Sequence, residues 1–223
     1  GARGPGGGWV AKPVLIASGK RWAHGIGDGG TDHVVSVGRN VNRLIRDTEV
    51  YSNTGGQASK ATPRGASAKV AASGKSSAKK DLAMIAQASG DVYVAQVAIG
   101  ANEQQAVRAL LEAQAWPGVS VVIAYATCIA HGIEMSTSMT HQKTAVASGY
   151  WPLTRYRPSE EAEGHPFKLD SKKPTIPIRE FALAETRFSM LARSDKENSE
   201  HLLAHTQAEP VTRARPYSKL AAA

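Results

Sequence analysis

The sequence predicts an α/β protein: an open, mostly parallel sheet with helices on both faces, continued by a C-terminal arm. Three observations carry that prediction. Strand-length apolar runs alternate with helical periodicities from residue 13 to residue 125. At least one of those runs is apolar on both faces, as a strand covered on both sides requires. After Tyr150 the alternation gives way to a stretch punctuated by Pro152, Pro158, Pro166, Pro174 and Pro177. The expected organisation is a main domain over 9–155, an extended and helical arm over 156–215, and a Gly-rich, disordered start over 1–8.

Pro13-Val14-Leu15-Ile16-Ala17-Ser18 reads as a short buried strand ending at Gly19, and Thr31 to Val37 as a helix ending at Gly38. Val41 to Asp47 is a second strand centred on Leu44 and Ile45. Glu49 to Lys80 is polar and rich in small residues; a stretch of that kind inside a compact domain is more often a functional loop than an idle linker. Leu82, Ile85 and Ala86 have helical spacing within Lys80 to Ala88, and Asp91 to Val97 is a strand. Asn102 is the N-cap of a helix reaching about Ala115, where Trp116-Pro117-Gly118 stops it. Val119 to Tyr125 is apolar enough to be buried on both faces. One helix is predicted from Ile178 to about Arg193 and another from Lys196 to Thr206. In such sheets ligands bind beyond the carboxyl ends of the strands.

Composition narrows the function classes. The chain has 223 residues, 42% hydrophobic and 21% charged, enough for a sizeable core. No apolar run approaches the ~20 residues that span a bilayer. The start GARGPGGGW lacks the apolar centre of a signal peptide, so no membrane and a cytoplasmic location are expected. The missing initial Met suggests a truncated chain. A single cysteine, Cys128, excludes an internal disulfide. The net charge of +8 suits a polyanionic partner. Much of it sits in Lys60, Arg64, Lys69, Lys75, Lys79 and Lys80, with no interleaved aromatics for base stacking, so a solvated loop and helix face is expected rather than a nucleic-acid arm.

Three groups of residues fall where this topology puts a site. The turn from Gly19 through Lys20, Arg21 and Trp22 to Asp28 and Gly30 has glycines that let backbone amides approach a phosphate. Gly25, Gly27 and Gly30 also satisfy G-x-G-x-x-G, with Asp47 at the distance of a ribose-binding acid, which leaves an NAD-type dinucleotide module as the alternative. The second group, Asp47-Thr48-Glu49-Val50-Tyr51-Ser52-Asn53-Thr54-Gly55-Gly56-Gln57, is dense in oxygen ligands of the kind Mg²⁺ prefers; a capped polar turn has the same composition. The third is Cys128, which taken alone reads as a small core side chain.

DTEVYSNTGGQ and then SKATP, over Asp47 to Pro63, resemble the signature of the pyruvate:ferredoxin (flavodoxin) oxidoreductase family. So do AKKDLA at 78–83, VIAYATCIAHG at 122–132 and SGYWPL at 148–153, and the similarity runs from residue 12 to about residue 193. The resemblance implies a thiamine-diphosphate-binding fold and a C-terminal piece of an enzyme that decarboxylates pyruvate oxidatively to acetyl-CoA, inactive by itself. It implies partners: the remainder of the same enzyme, pyruvate, coenzyme A, and ferredoxin or flavodoxin, in a homodimer. The cofactors implied are thiamine diphosphate, Mg²⁺ and a 4Fe-4S cluster. By position, the diphosphate rests on residues 19–22 (Gly19, Lys20, Arg21, Trp22) and 48–53 (Thr48, Glu49, Val50, Tyr51, Ser52, Asn53). Thr48 and Val50 hold Mg²⁺, and Asn53 lies beside the reacting carbon as the catalytic amide. Cys128 matches the cysteine that gives the cluster one thiolate, and His131 is read as structural.

One departure matters. Where the family has a Gly-Asp-Gly turn, this chain has Gly19-Lys20-Arg21, so an ammonium stands where the Mg²⁺-binding carboxylate belongs. Two unit charges about 4 Å apart interact by roughly 4 kcal/mol at an effective dielectric of about 20, and a divalent ion facing an ammonium feels about twice that as repulsion. Weak Mg²⁺ binding is therefore expected.

Overall fold

The computed structural model describes residues 14–19, 28–158 and 166–206. Lys20, Arg21 and Trp22, the Gly-rich start and the tail beyond residue 206 lie outside the described residues. A six-stranded sheet in the order β1-β2-β4-β3-β5-β6 organises the fold. Its parallel body is β1 (Val14–Gly19), β2 (Val41–Asp47), β4 (Val119–Tyr125) and β3 (Val92–Val97). Two three-residue strands, β5 (Thr154–Tyr156) and β6 (Phe167–Leu169), add an antiparallel edge beside β3. The Pro-rich region thus contributes strands where its composition predicts only connection. Pro158 and Pro166 lie just outside the short ladder, where a missing N–H breaks no strand pairing.

Helices cover both faces, and the period of two along the central strands sorts the core. Val92 and Val94 of β3 and Val119, Val121 and Ile123 of β4 face one side. There they meet Val35 of α1 (Asp28–Ser36), Leu82, Ala83 and Ala86 of α2 (Leu82–Gln87), and Phe181. Tyr93, Ala95 and Val97 of β3 and Val122 of β4 face the other side, against Ala106, Ala109 and Ala113 of α3 (Glu103–Ala115). Asn102 caps α3 as expected, its side chain accepting from Gln105 N at 2.9 Å. Arg155 ties the antiparallel edge to the body: it grips Asp170 with Nε at 2.7 Å and Nη2 at 2.8 Å, and Glu112 of α3 with Nη1 at 2.6 Å.

Two helical features differ from the sequence expectation. The sequence does not predict helix α4 (Ser138–Ala147), because its inward positions are His141, Gln142 and Ala145 and give no apolar period. The single helix expected from Ile178 to about Arg193 is two, α5 (Ile178–Leu183) and α6 (Thr186–Ser194). Glu185 breaks it, leaving the helical backbone (φ −96°, ψ 130°) with its carboxylate turned into the core. A last helix, α7 over 196–206, agrees with the expectation. Truncating the α3 cap, Asn102→Ala, should lower stability by about 1 kcal/mol without changing the cooperativity of urea unfolding.

Candidate functional site

The ends of β1, β2 and β4 lie side by side at the carboxyl edge of the sheet. Gly19 at the end of β1 pairs with Arg46, and Asp47 at the end of β2 pairs with Tyr125 at the end of β4. The loop from Thr48 and the turn through Cys128 therefore start from neighbouring strands, beside the end of β1. The two are directly bonded: His131 Nε2 donates to the carbonyl of Thr48 at 2.7 Å, and Ala126 N donates to the carbonyl of Asp47 at 3.0 Å. Gly56, at φ +86°, brings the loop so close to the Cys128 turn that an added Cβ would lie 3.1 Å from the Ala130 methyl.

Glu49 pins the loop. Its backbone adopts a positive φ of 59°, uncommon for a residue with a Cβ, and its side chain is fully buried. The carboxylate accepts from Lys79 Nζ at 2.6 Å, from Tyr150 Oη at 2.8 and 2.7 Å, and from Arg187 Nη2 at 2.6 Å. Lys79 also holds Asp47 at 2.7 Å, and Arg187 reaches Glu185 with Nε at 2.5 Å. Glu185 in turn accepts from His141 Nε2 at 2.7 Å. Three buried carboxylates thus share two fixed cations, a phenol and an imidazole. The backbone joins in, with Thr62 Oγ1 donating to the Glu49 carbonyl at 2.5 Å and Glu49 N to Asp47 Oδ1 at 2.9 Å.

Burial sets the protonation states. Desolvation, helped by the Arg187 charge, lowers the His131 pKa to about 4, so the ring is neutral. Facing a carbonyl, Nε2 must carry the hydrogen, which leaves Nδ1 a bare acceptor 3.6 Å from Glu185, too far and of the wrong kind to bond it. Burial alone would raise the Glu185 carboxyl, but the Arg187 charge and the hydrogen bond from His141 outweigh it and hold it below the ordinary carboxylate range.

The fold brings some of the sequence-predicted site residues together and commits others elsewhere. Thr48 and Val50 meet, with Thr48 Oγ1 donating to the Val50 carbonyl at 3.1 Å. Ser52 and Asn53 lie on a short 3₁₀ turn (Ser52–Thr54) with both side chains exposed. The amides of Glu49 and Tyr51 are already used within the loop, Tyr51 N donating to Gln57 at 3.0 Å, and this removes them from the expected phosphate cradle. The Glu49 side chain is an interior ion-pair partner rather than a cofactor contact. Cys128 is buried and unpaired, its Sγ accepting from Ala130 N at 3.5 Å at the start of a 3₁₀ turn. Asp47 is fully buried and bound to Lys79, so it cannot serve a ribose, and Gly30 lies inside α1; the dinucleotide alternative loses its acid.

The basic stretch is not simply solvated. Lys75 Nζ donates to the carbonyls of Thr62, Ser77 and Ala78, each at 2.9 Å, Lys79 is interior, and Arg64 reaches the Ser76 carbonyl at 2.5 Å. Sequence reasoning also missed Arg187, Glu185 and His141. The one local hint was a charged residue, Arg187, on the same face of α6 as Phe188 and Leu191.

No family model matches the chain. Among curated proteins it is 53% identical over 213 residues, 95% of this chain, to a putative pyruvate-flavodoxin oxidoreductase of Synechocystis sp., of which it covers 18%. It is 50% identical over 94% of its length to a pyruvate:ferredoxin oxidoreductase of Moorella thermoacetica, again covering 18% of that protein. The chain is homologous to one segment of the pyruvate-flavodoxin oxidoreductases. A pyruvate dehydrogenase [NADP(+)] of Cryptosporidium parvum shares the segment at 50% identity over 82% of this chain and 10% of the relative. Among solved structures, a 2-oxoglutarate:ferredoxin oxidoreductase from Magnetococcus marinus aligns over 53% of this chain and 40% of that one, at 21% identity and a TM-score of 0.47.

The oxidoreductase motifs meet in space. Lys79 from AKKDLA, Tyr150 from SGYWPL and His131 from VIAYATCIAHG all bond residues 47–49 of DTEVYSNTGGQ. Substitutions at Arg187 and His131 test this cluster. Arg187→Met leaves Glu49 and Glu185 buried without their shared cation and should cost roughly 3–5 kcal/mol in denaturant unfolding. His131 binds its proton more weakly folded than unfolded, so its contribution is complete above about pH 6.5 and is lost as pH falls toward 4, by about 3 kcal/mol. The Glu185 contribution is lost at still lower pH, as its depressed carboxyl protonates. Stability measured against pH for His131→Gln should lack the upper of these two losses.

Proposed function

We propose that the chain is the diphosphate-binding portion of a thiamine-dependent pyruvate:ferredoxin (flavodoxin) oxidoreductase. The observation that carries this reading is the oxygen-lined loop from Thr48 to Asn53, at the carboxyl edge beside the end of β1, in a segment about half identical to those enzymes. The donor set fits Mg²⁺. An octahedral shell at ~2.0–2.1 Å puts neighbouring oxygens about 3 Å apart, and Thr48 Oγ1 and the Val50 carbonyl are 3.1 Å apart. Among the described residues no group of three or more His, Cys, Asp or Glu could hold a metal, so the remaining ligands come from the diphosphate, water or other parts of the protein.

When bound, thiamine diphosphate supplies the nucleophilic carbon and the electron sink for decarboxylating a 2-oxo acid. The chain's own residues bind and orient. Thr48 and Val50 hold the ion, His131 fixes the Thr48 carbonyl, and Glu49 clamps the loop so that Ser52 and Asn53 stay on its outer turn. Asn53 would offer its exposed amide to the reacting carbon, and Gly19, Lys20, Arg21 and Trp22, by their place in the sequence, would contribute to the diphosphate site. Cys128 would give one thiolate to a 4Fe-4S cluster whose other ligands lie elsewhere. Pyruvate, coenzyme A, ferredoxin or flavodoxin, the rest of the polypeptide and a second copy are the partners of the whole enzyme.

Thermal shift with thiamine diphosphate and Mg²⁺, with NAD as control, tests this. The chain should be stabilised little by the cofactor as it stands, because Lys20 opposes the ion. Lys20→Asp with Arg21→Gly should tighten Mg²⁺-dependent binding roughly tenfold or more, and adding Thr48→Val should abolish the gain. Stabilisation by NAD instead, or a gain indifferent to Thr48→Val, contradicts the reading.

A further inference from the structure

Helix α7 (196–206) is fastened by its inward face. Ser199, Leu202, Leu203 and Thr206 are buried, and Leu203 packs with Ala66, Ala182 and Phe188. Thr206 Oγ1 donates to the Arg64 carbonyl at 3.1 Å, and Asn198 Nδ2 to the Ser73 carbonyl at 3.0 Å. With that face committed, the helical period turns His201 and His205 to solvent one turn apart. Their ring centroids are 4.8 Å apart, the planes at 75°. Among the described residues neither imidazole is taken up in a hydrogen bond or ion pair. Nearby Glu200 is not available, being engaged by both terminal nitrogens of Arg179 at 2.6 and 2.7 Å.

We propose that His201 and His205 form a two-histidine clamp for a divalent transition-metal ion of the zinc, nickel or copper class. Neutral imidazole suits these ions and not Mg²⁺, so this site and the oxygen-lined loop select different metals. Metal–nitrogen bonds of ~2.0–2.1 Å bring two ligand nitrogens to roughly 3 Å, which rotation of two exposed side chains can reach from the observed spacing. The backbone need not move. Because α7 is already docked, the second histidine is held near the ion bound by the first, and water completes the shell. Glu197, exposed a further turn back on the same stripe, lends favourable charge. A bound ion spans one turn of the helix that bonds the 64–73 loop.

Calorimetric titration of the whole chain with Ni²⁺ or Zn²⁺ near neutral pH, in excess Mg²⁺, tests the clamp. The expected result is one ion per chain, weakened roughly tenfold or more by either His201→Gln or His205→Gln, with the double variant little worse than each single one. Hydrogen exchange of the α7 amides should slow on adding Ni²⁺ in the parent chain and not in the variants. Both substitutions are on an exposed face, so circular dichroism should show them folded. Unchanged affinity in either variant, or affinity lost in Cys128→Ser instead, overturns the proposal.

Discussion

The Glu49 carboxylate is held in the interior by Lys79, Tyr150 and Arg187, each within 2.8 Å, and the candidate site takes its shape from that restraint. An isolated carboxylate there would be untenable, since desolvation of a single charge costs several kcal/mol. Spread over two cations that also serve Asp47 and Glu185, the same charge becomes a tie between distant parts of the chain. The positive φ at Glu49 is tolerated on these terms: the side-chain bonds over-determine a conformation that the backbone alone disfavours. The turn carrying Ser52 and Asn53, next along the chain, inherits its position from this anchor.

The same network explains why α6 and the residues before it belong with the site. Glu185 gives up helical geometry to bond His141 and Arg187, and Thr186 Oγ1 donates to the Gly132 carbonyl at 2.7 Å, closing α6 onto the turn that contains Cys128. Gly132 itself, at φ +70°, has no room for a Cβ against Thr186. Short motifs far apart along the chain are thus parts of one polar cluster that bears on residues 47–49.

The outer surface of the loop is less complete. Ser52 and Asn53 are exposed, and the chain accounts for 18% of the length of the oxidoreductases it resembles. Here the interior fixes the loop while its outer turn stays open to solvent.

The sequence by itself determined the parallel sheet, the N-cap at Asn102, the strands ending at Asp47 and Tyr125, and the family likeness. Each of these is written in local periodicity or in contiguous residues, where neighbours along the chain are neighbours in space. Only the tertiary structure decided the rest. That Glu49 faces inward, that Asp47 is spent on Lys79, that Glu185 splits a helix and that His131 holds the Thr48 carbonyl are outcomes of ion pairing and hydrogen bonding between positions up to 138 residues apart. No spacing rule links such positions. A carboxylate in a polar loop reads as a ligand until the fold brings cations to it.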